Sequence, residues 1–349
     1  MRIKDIAREA GVSTATVSHV INKTKYVSDP TRERVLKAIK KFNYHPNAHA
    51  QMLALGRSKI IGLLVSDISN PFFPEIIKSI EAAVIAGGYN LFLLNTNYET
   101  ARTIEYVQRL IQMKVAGIIL MIAEFDEAII NEAKRKKTSI VFHDLGVVGE
   151  KMSRVSLDYA VGVDEAVRHL VSLGHRNIAH IAGSHQIHSA GVRRKAFAES
   201  MHRQLPKENE PKVYEGDFRF EGGRQAANQI LAESSLPTAV IVANDLMALG
   251  AMQEFKAAGL RIPQDISIVG FDDISFASLS EPSLTTVCSP RIEIGRRAVE
   301  ALLLTVDKPH QQGVDISIPT YLIKRNSTAP PRTIGDPRNA KKTDVSGMD

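Results

Sequence analysis

The chain has 349 residues, 44% hydrophobic and 23% charged, the makeup of an ordinary globular protein with apolar side chains enough for two or three domains. Residues 1–59 carry 12 Lys/Arg against 4 Asp/Glu, so this segment is +8 and the remainder −2; a basic module on a near-neutral body points to nucleic acid rather than to a membrane surface. The single cysteine, Cys288, excludes an intramolecular disulfide framework and a clustered thiolate metal site. No apolar window reaches the ~18 residues of a membrane span and Met1–Lys25 has no signal-peptide pattern, so a cytoplasmic location is expected.

From Ile3 to Tyr44, apolar residues recur at helical spacing: Ile3, Ile6, Ala7 and Ala10, then Val17, Val20 and Ile21, then Val35, Leu36, Ile39 and Phe42. Three short helices are predicted. Gly11 stops the first, Ser13 or Thr14 caps the second, and Ser28-Asp29-Pro30-Thr31 opens the third. The first two, joined by a tight turn, make a helix-turn-helix whose second helix suits a major groove. It presents Thr14, Ala15, Ser18 and His19 outward. Thr14 and His19 can hydrogen-bond base edges, Ala15 can meet a thymine methyl, and Thr16, Asn22 and Lys23 can hold phosphates. A three-helix bundle for protein contacts is the alternative, against which the +8 charge argues. Next comes "HPNAHAQMLALGRS", residues 45–58, in which Ala48, Ala50, Leu53 and Ala54 fit one short helix between Pro46 and Gly56. A helix this short is marginal alone in water.

Beyond Ser58 the pattern changes to apolar strands alternating with amphipathic helices: "KIIGLLVSD", "YNLFLLNTN", "AGIILMIA", "TSIVFHD", "RNIAHIAG", "KVYEGDF", "TAVIVAN" and "DISIVGFDD". Runs apolar on both faces are parallel strands covered by helices on each side, so the fold class is α/β, doubly wound. A break near Arg154–Tyr159 predicts two lobes, and ligands of such sheets bind beyond the carboxyl ends of the strands. The Pro-rich, aperiodic residues 329–349 are expected to be disordered.

The segment "IKDIAREAGVSTATVSHVINKTKYVSDPTRERVLKAIKKFNYHPNAHAQML" closely resembles the start of the LacI/GalR family of bacterial transcription regulators. The resemblance continues to about Arg325 through "SDISNPFFPEII", "GHRNIAHIAG", "NDLMALGAM", "IPQDISIVGFDDI" and "SLTTV", and is greatest toward the purine and ribose branches. It implies a helix-turn-helix domain at 1–45, a hinge helix at 46–58, and an effector-binding and dimerisation domain at 59–328 like the sugar-binding proteins of the periplasm. The lobes would be about 59–158 plus 288–320, and about 159–287 plus 321–328. Thr14, Ala15 and His19 fall at base-reading positions, and Leu53 at the place of a minor-groove wedge, with Ala50 and Gln51 beside it on the hinge. In the cleft, Phe72 and Phe73 offer an apolar wall, Asp144, Asn244 and Asp272 end strands, Arg193 matches the effector arginine, and Phe218 matches a stacking aromatic. Asp245, next to Asn244, reads as an N-cap for the following helix.

Departures from the family narrow the effector. Ile187 stands where the purine repressor has Arg, and Leu145 where ribose binders have Arg. A small sugar or sugar derivative without a cofactor is therefore expected. G-x-S-x-G and G-x-G-x-x-G motifs are lacking, so no enzyme is expected; His143, His169, His175 and His180 lack metal-ligand spacing and read as helix-end and surface residues. The reading is a homodimeric, sequence-specific regulator, in the role of a repressor, on pseudo-palindromic operator DNA. Two other readings stay open: a global carbon-catabolite regulator with a phosphorylated carrier protein as co-repressor, and a sugar receptor without a DNA role.

Overall fold

Ile6, Val17 and Val35 have no exposed surface, and with Ala7, Ala10 and Ala38 they form the core shared by α1 (Ile3–Ala10), α2 (Thr14–Asn22) and α3 (Asp29–Lys41). The structure, a computed structural model, describes residues 2–22, 24–44, 58–123, 126–206 and 210–332. The hinge expectation for Ala50, Gln51 and Leu53 lies outside the described residues. Gly11 ends α1 at φ 62°, a left-handed geometry that glycine takes without steric cost. Ser13 Oγ accepts the Thr16 N–H at 3.0 Å, so Ser13 rather than Thr14 caps α2. Leu36, expected in the core, is 50% exposed. It follows buried Val35, and successive helical residues point about 100° apart, so one of the pair must turn outward.

Each of the eight apolar runs contains a strand, and alternation of side chains explains the layering. In β1 (Ile60–Val65), Ile61, Leu63 and Val65 pack with α4 (Phe72–Ala86) and α12 (Arg291–Val306), while Leu64 faces the opposite layer, α5 (Thr100–Gln112) and α6 (Glu127–Lys136). With β2 (Asn90–Asn95), β3 (Gly117–Met121), β4 (Ser139–His143), β5 (Met152–Asp158) and β11 (Asp315–Pro319), it forms a six-stranded sheet in the order β11-β5-β4-β3-β1-β2, parallel throughout. The second sheet joins β6 (Ile178–Ala182), β7 (Val213–Glu215), β8 (Ala239–Val242), β9 (Ser267–Asp272), β10 (Thr285–Cys288) and β12 (Tyr321–Ile323) in the order β12-β10-β9-β8-β6-β7. Only the β10–β12 pair in it is antiparallel. Around it lie α7 (Tyr159–Ser172), α8 (His188–Gln204), α9 (Phe220–Leu231), α10 (Asp245–Ala257) and the short α11 (Ser275–Leu279).

The range Arg154–Tyr159, expected to hold the break between lobes, contains the passage from the first sheet to the second at Asp158–Tyr159, although most of it is β5, whose alternating "MSRVSLD" is half polar and does not read as an apolar run; one expectation needs correction. Residues 329–332 are not loose: Ala329 bonds Ser267 and His175, and Arg332 pairs with Asp265; residues 333–349 lie outside the described residues. The chain passes between the sheets at Asp158–Tyr159, at Ser289–Arg291 and at Thr320. Thr320 Oγ1 donates to the Asp158 carbonyl at 2.7 Å and accepts the Gly162 N–H at 3.1 Å, tying two crossings together. No helix among the described residues is long and apolar enough to cross a membrane.

Candidate functional site

The carboxyl ends of parallel strands from both sheets converge on one cavity, the place such sheets offer a ligand. It encloses about 80 Å³. At roughly 10–15 Å³ per water, that suits a handful of waters or one small ring. The first sheet contributes Ser66, Asn70, Phe72 and Phe73 after β1, Tyr98 after β2, Met121 to Ala123 at β3, and His143 and Asp144 at β4. From the second come Ile187, Ser189, Arg193, Phe218, Asn244 and Asp272, and Tyr159 lies at a crossing. All seven effector-site expectations, Phe72, Phe73, Asp144, Arg193, Phe218, Asn244 and Asp272, thus meet in one place. Ser66, Asn70, Tyr98 and Tyr159 were not foreseen.

Arg193 is the centre. Its guanidinium is buried, 4.1 Å from the Phe271 ring centroid, 4.8 Å from Tyr159 and 5.6 Å from Phe218. Nη1 donates to the Ala243 carbonyl, Nη2 reaches Asp272 Oδ1 at 3.4 Å, and Nε has no partner among the described residues. Burial opposes its charge, but Asp272 and Tyr159 hold its pKa above the usual arginine value. Asp272 in turn is pushed up to about 6 by burial, against the pull of Arg193 and Arg291. On the other side, Asp144 accepts the Leu157 N–H at 3.0 Å and the Tyr159 hydroxyl, whose own pKa burial and Asp144 drive well up. Carboxylate, phenol, guanidinium and carboxylate therefore run across the cavity. Such a row sets acceptors at its ends and donors between them, the mixed set that a polyhydroxylated ring can use.

The apolar wall is equally built. Phe72 and Phe73 meet edge to face at 5.3 Å, and both belong to the core as well as to the cavity. Phe218 lies so close to Gly183 that a side chain there would overlap its ring, which is why "HIAG" ends in glycine. Tyr98, Asp144, Phe218 and Asp272 all hold positive φ, of 60°, 60°, 65° and 108°. Strained non-glycine backbone gathered at one cavity is a mark of a functional site. Asn244 is less free than expected: Oδ1 caps α10 through Met247 N–H, and Nδ2 donates to the Phe218 carbonyl, so it fixes the aromatic's loop.

Asp245 is corrected accordingly. It does not cap; it accepts the Ile274 N–H at 2.9 Å and hydrogen-bonds Thr286 Oγ1 at 2.5 Å, fully buried. Burial, then Asp272, raises its pKa far above the usual carboxylate value. Asp245→Asn keeps both partners and should shift thermal unfolding little; Asp245→Ala strands the Ile274 N–H and should cost about 1–3 kcal/mol. His175 and His180 are also corrected, being buried rather than surface residues. His175 bonds Thr238 and Ala329, and His180 stacks on Phe197 with its pKa lowered to about 4 by burial. Among the described residues no three His, Cys, Asp or Glu side chains gather to hold a metal. Arg194 points out to Glu215 at 2.9 Å.

On the reading helix, Thr14 and Ala15 are exposed. The other side chains are partly engaged: Thr16 with Ser13, His19 Nδ1 with Thr24 at 2.8 Å, and Asn22 with Ser18 at 3.2 Å. Thr14 and Ala15 thus form the open tip, with Thr16, Ser18, His19 and Asn22 half-buried behind them.

Known proteins resemble the chain over nearly its whole length. A family model described as bacterial regulatory proteins, lacI family, matches residues 2–47, and one described as periplasmic binding protein-like domain matches 167–328. The HTH-type transcriptional repressor PurR of Photobacterium profundum is 35% identical over 326 residues, 93% of this chain and 98% of its own, and that of Erwinia tasmaniensis 38% over 329, 94% and 96%. The lac repressor dimer bound to operator and the anti-inducer ONPF superposes with a TM-score of 0.83 at 31% identity, over 94% of this chain and 99% of that one. A LacI family regulator of Enterococcus faecium with bound ribose gives 0.71 at 28%, over 78% and 100%. The helix-turn-helix unit, the two parallel sheets and these likenesses together place the chain in the LacI family of bacterial regulatory proteins.

Proposed function

We propose that the protein is a homodimeric, DNA-binding transcriptional repressor whose operator affinity is set by a small polyhydroxylated ligand between its two sheets. The carrying observation is the cavity itself, where Asp144, Tyr159, Arg193 and Asp272 form a polar row of donors and acceptors beside Phe72, Phe73 and Phe218. Ile187, 7% exposed, lines it where a second guanidinium would be needed to grip a purine, so a sugar is favoured over a base. Structural neighbours whose names mention ribose and cellobiose support that choice. A purine base is the second reading, favoured by the PurR relatives.

Thr14, Ala15 and His19 read bases in the major groove, with Ser18 on the same face, and Thr16 and Asn22 hold the backbone. Dimerisation supplies two reading units for a pseudo-palindrome, and exposed Leu279 and Ile292 offer apolar surface for a partner. Ligand binding closes the lobes and biases the segment joining them to the reading units, a coupling of about 1–3 kcal/mol. Action on DNA favours the cytoplasm.

The test is selection of duplexes by the full chain from random sequence, followed by calorimetric titration with a panel of sugars and purine bases. Enrichment of a palindrome and binding of a sugar are expected; no enrichment refutes the DNA role, and binding of purines alone refutes the sugar. Leu53→Ala, at the proposed wedge, should weaken operator binding more than tenfold while leaving ligand affinity unchanged.

A further inference from the structure

The end of the first sheet opposite the ligand cavity carries a groove of about 560 Å³. Lys114, Arg135, Lys136, Lys137 and Lys151 line it, and exposed Lys134 flanks it. Arg135 is paired with Glu132 at 2.6 Å, and Lys151 Nζ caps the carboxyl end of α12 by donating to the Thr305 carbonyl at 2.8 Å. Lys114, Lys134, Lys136 and Lys137 form no ion pair among the described residues. Of the nearby acids, Glu132 is paired with Arg135, whereas Glu150 meets the His310 imidazole at 2.8 Å and Asp307 the uncharged Tyr89 hydroxyl at 3.4 Å, so their formal charges still count.

Lysines at this end have an ordinary explanation, since α5, α6 and α12 all finish here and helix carboxyl ends attract cations. The magnitudes decide against it as the whole account. Three helix ends supply about −0.5 each, which Lys151 and one more lysine already offset. With Glu150 and Asp307 also counted, a surplus of about one to two positive charges is left in one groove. That surplus lies beside the way to the reading unit: Ser58, the first described residue after the linker, gives its N–H and hydroxyl to the Lys114 carbonyl at 2.8 and 3.2 Å. The links from Tyr44 to Ser58 span at most about 50 Å, so DNA held by the reading unit stays within reach of the groove.

We propose that this groove is a second, sequence-independent contact for the phosphate backbone of duplex DNA. The inference rests on the DNA-binding reading above. Its partner is a polyanion because the lysines are exposed, lie side by side and lack the enclosed, convergent hydrogen-bonding of a small-anion pocket. Such contacts add affinity and salt dependence without adding specificity.

The full-length Lys114→Gln/Lys136→Gln/Lys137→Gln variant tests it by fluorescence anisotropy over a salt series. The probes are the selected operator and an arbitrary duplex of about four helical turns. Affinity for both should fall at least tenfold at low salt, and the log–log salt slope should become shallower by about 2 or more, at ~0.9 for each phosphate that is no longer neutralised. Lys195→Gln/Lys212→Gln, on the second lobe, should leave both slopes within about 1 of wild type, the effect of roughly one phosphate. Unchanged slopes in the triple variant overturn the proposal, as does a loss confined to the operator. So does a groove that binds inorganic triphosphate, with that binding abolished in the variant, while both DNA slopes stay as in wild type. If the wild-type chain binds neither duplex, the DNA-binding reading itself has failed, which the other outcomes leave intact.

Discussion

Arg193→Met is expected to lower ligand affinity by about one to two decades while leaving operator binding within a few-fold. The guanidinium is enclosed by three aromatic rings, gives Nη1 to Ala243 and Nη2 to Asp272, and keeps only Nε unpartnered. A hydrogen bond from a charged donor is worth about 1.5–3 kcal/mol net, which is about one to two decades of affinity, while stranding Asp272 lowers the stability of the fold with or without ligand. Methionine fills much of the same volume, so the rings are not left facing a cavity. Operator binding should survive because the three-helix unit has its own core around Ile6, Val17 and Val35. Titration calorimetry checks the first half and anisotropy the second; undiminished ligand affinity would show that Arg193 only braces Asp272.

What the sequence made legible follows from locality. Parallel strands apolar on both faces are visible in eight runs, and the rule that their carboxyl ends face a ligand places Asp144, Asn244 and Asp272 correctly in one cavity without any knowledge of their partners. Arg193 and Phe218 sit off the strands, on α8 and in a loop before α9, and only the family resemblance pointed to them. Tyr159 was missed as a site residue although the lobe boundary was expected beside it, because no strand-end or motif rule assigns a role to the residue that begins a crossing. Asp245 shows the limit of local chemistry. Beside an equally good cap, its role is set by Ile274 and Thr286, 29 and 41 positions away, and no spacing rule reports such contacts. His175 likewise becomes a buried bridge through Thr238 and Ala329. Leu36 fails for the opposite reason: its neighbour Val35 claims the core, and the helix can bury only one stripe.

Asp272 should make ligand binding pH-dependent below about 6. Its carboxyl is buried at the end of β9, faces Arg193 and Arg291, and lies near Asp245; burial outweighs the two guanidiniums and sets its pKa at about 6. A ring hydroxyl that donates to Asp272 needs the carboxylate. Affinity should therefore be flat above pH about 6.5 and fall by up to tenfold per unit below pH about 6. Asp272→Asn should abolish that slope and weaken binding some ten- to hundredfold at pH 7.5, the worth of a charge-assisted bond. Stability moves the other way with pH. Because the folded pKa lies above the unfolded value near 4, the folded chain holds this proton longer, and stability is lost as pH rises from about 4 to about 6, by roughly 3 kcal/mol at most. Asp272→Asn removes this loss, so the difference in unfolding free energy between wild type and variant should drift in the variant's favour across that window and level off above it. Denaturant titrations at pH 4, 5, 6 and 7 read the drift directly. A constant difference would mean that Arg193 and Arg291 hold Asp272 ionised throughout, and the ligand profile should then be flat as well.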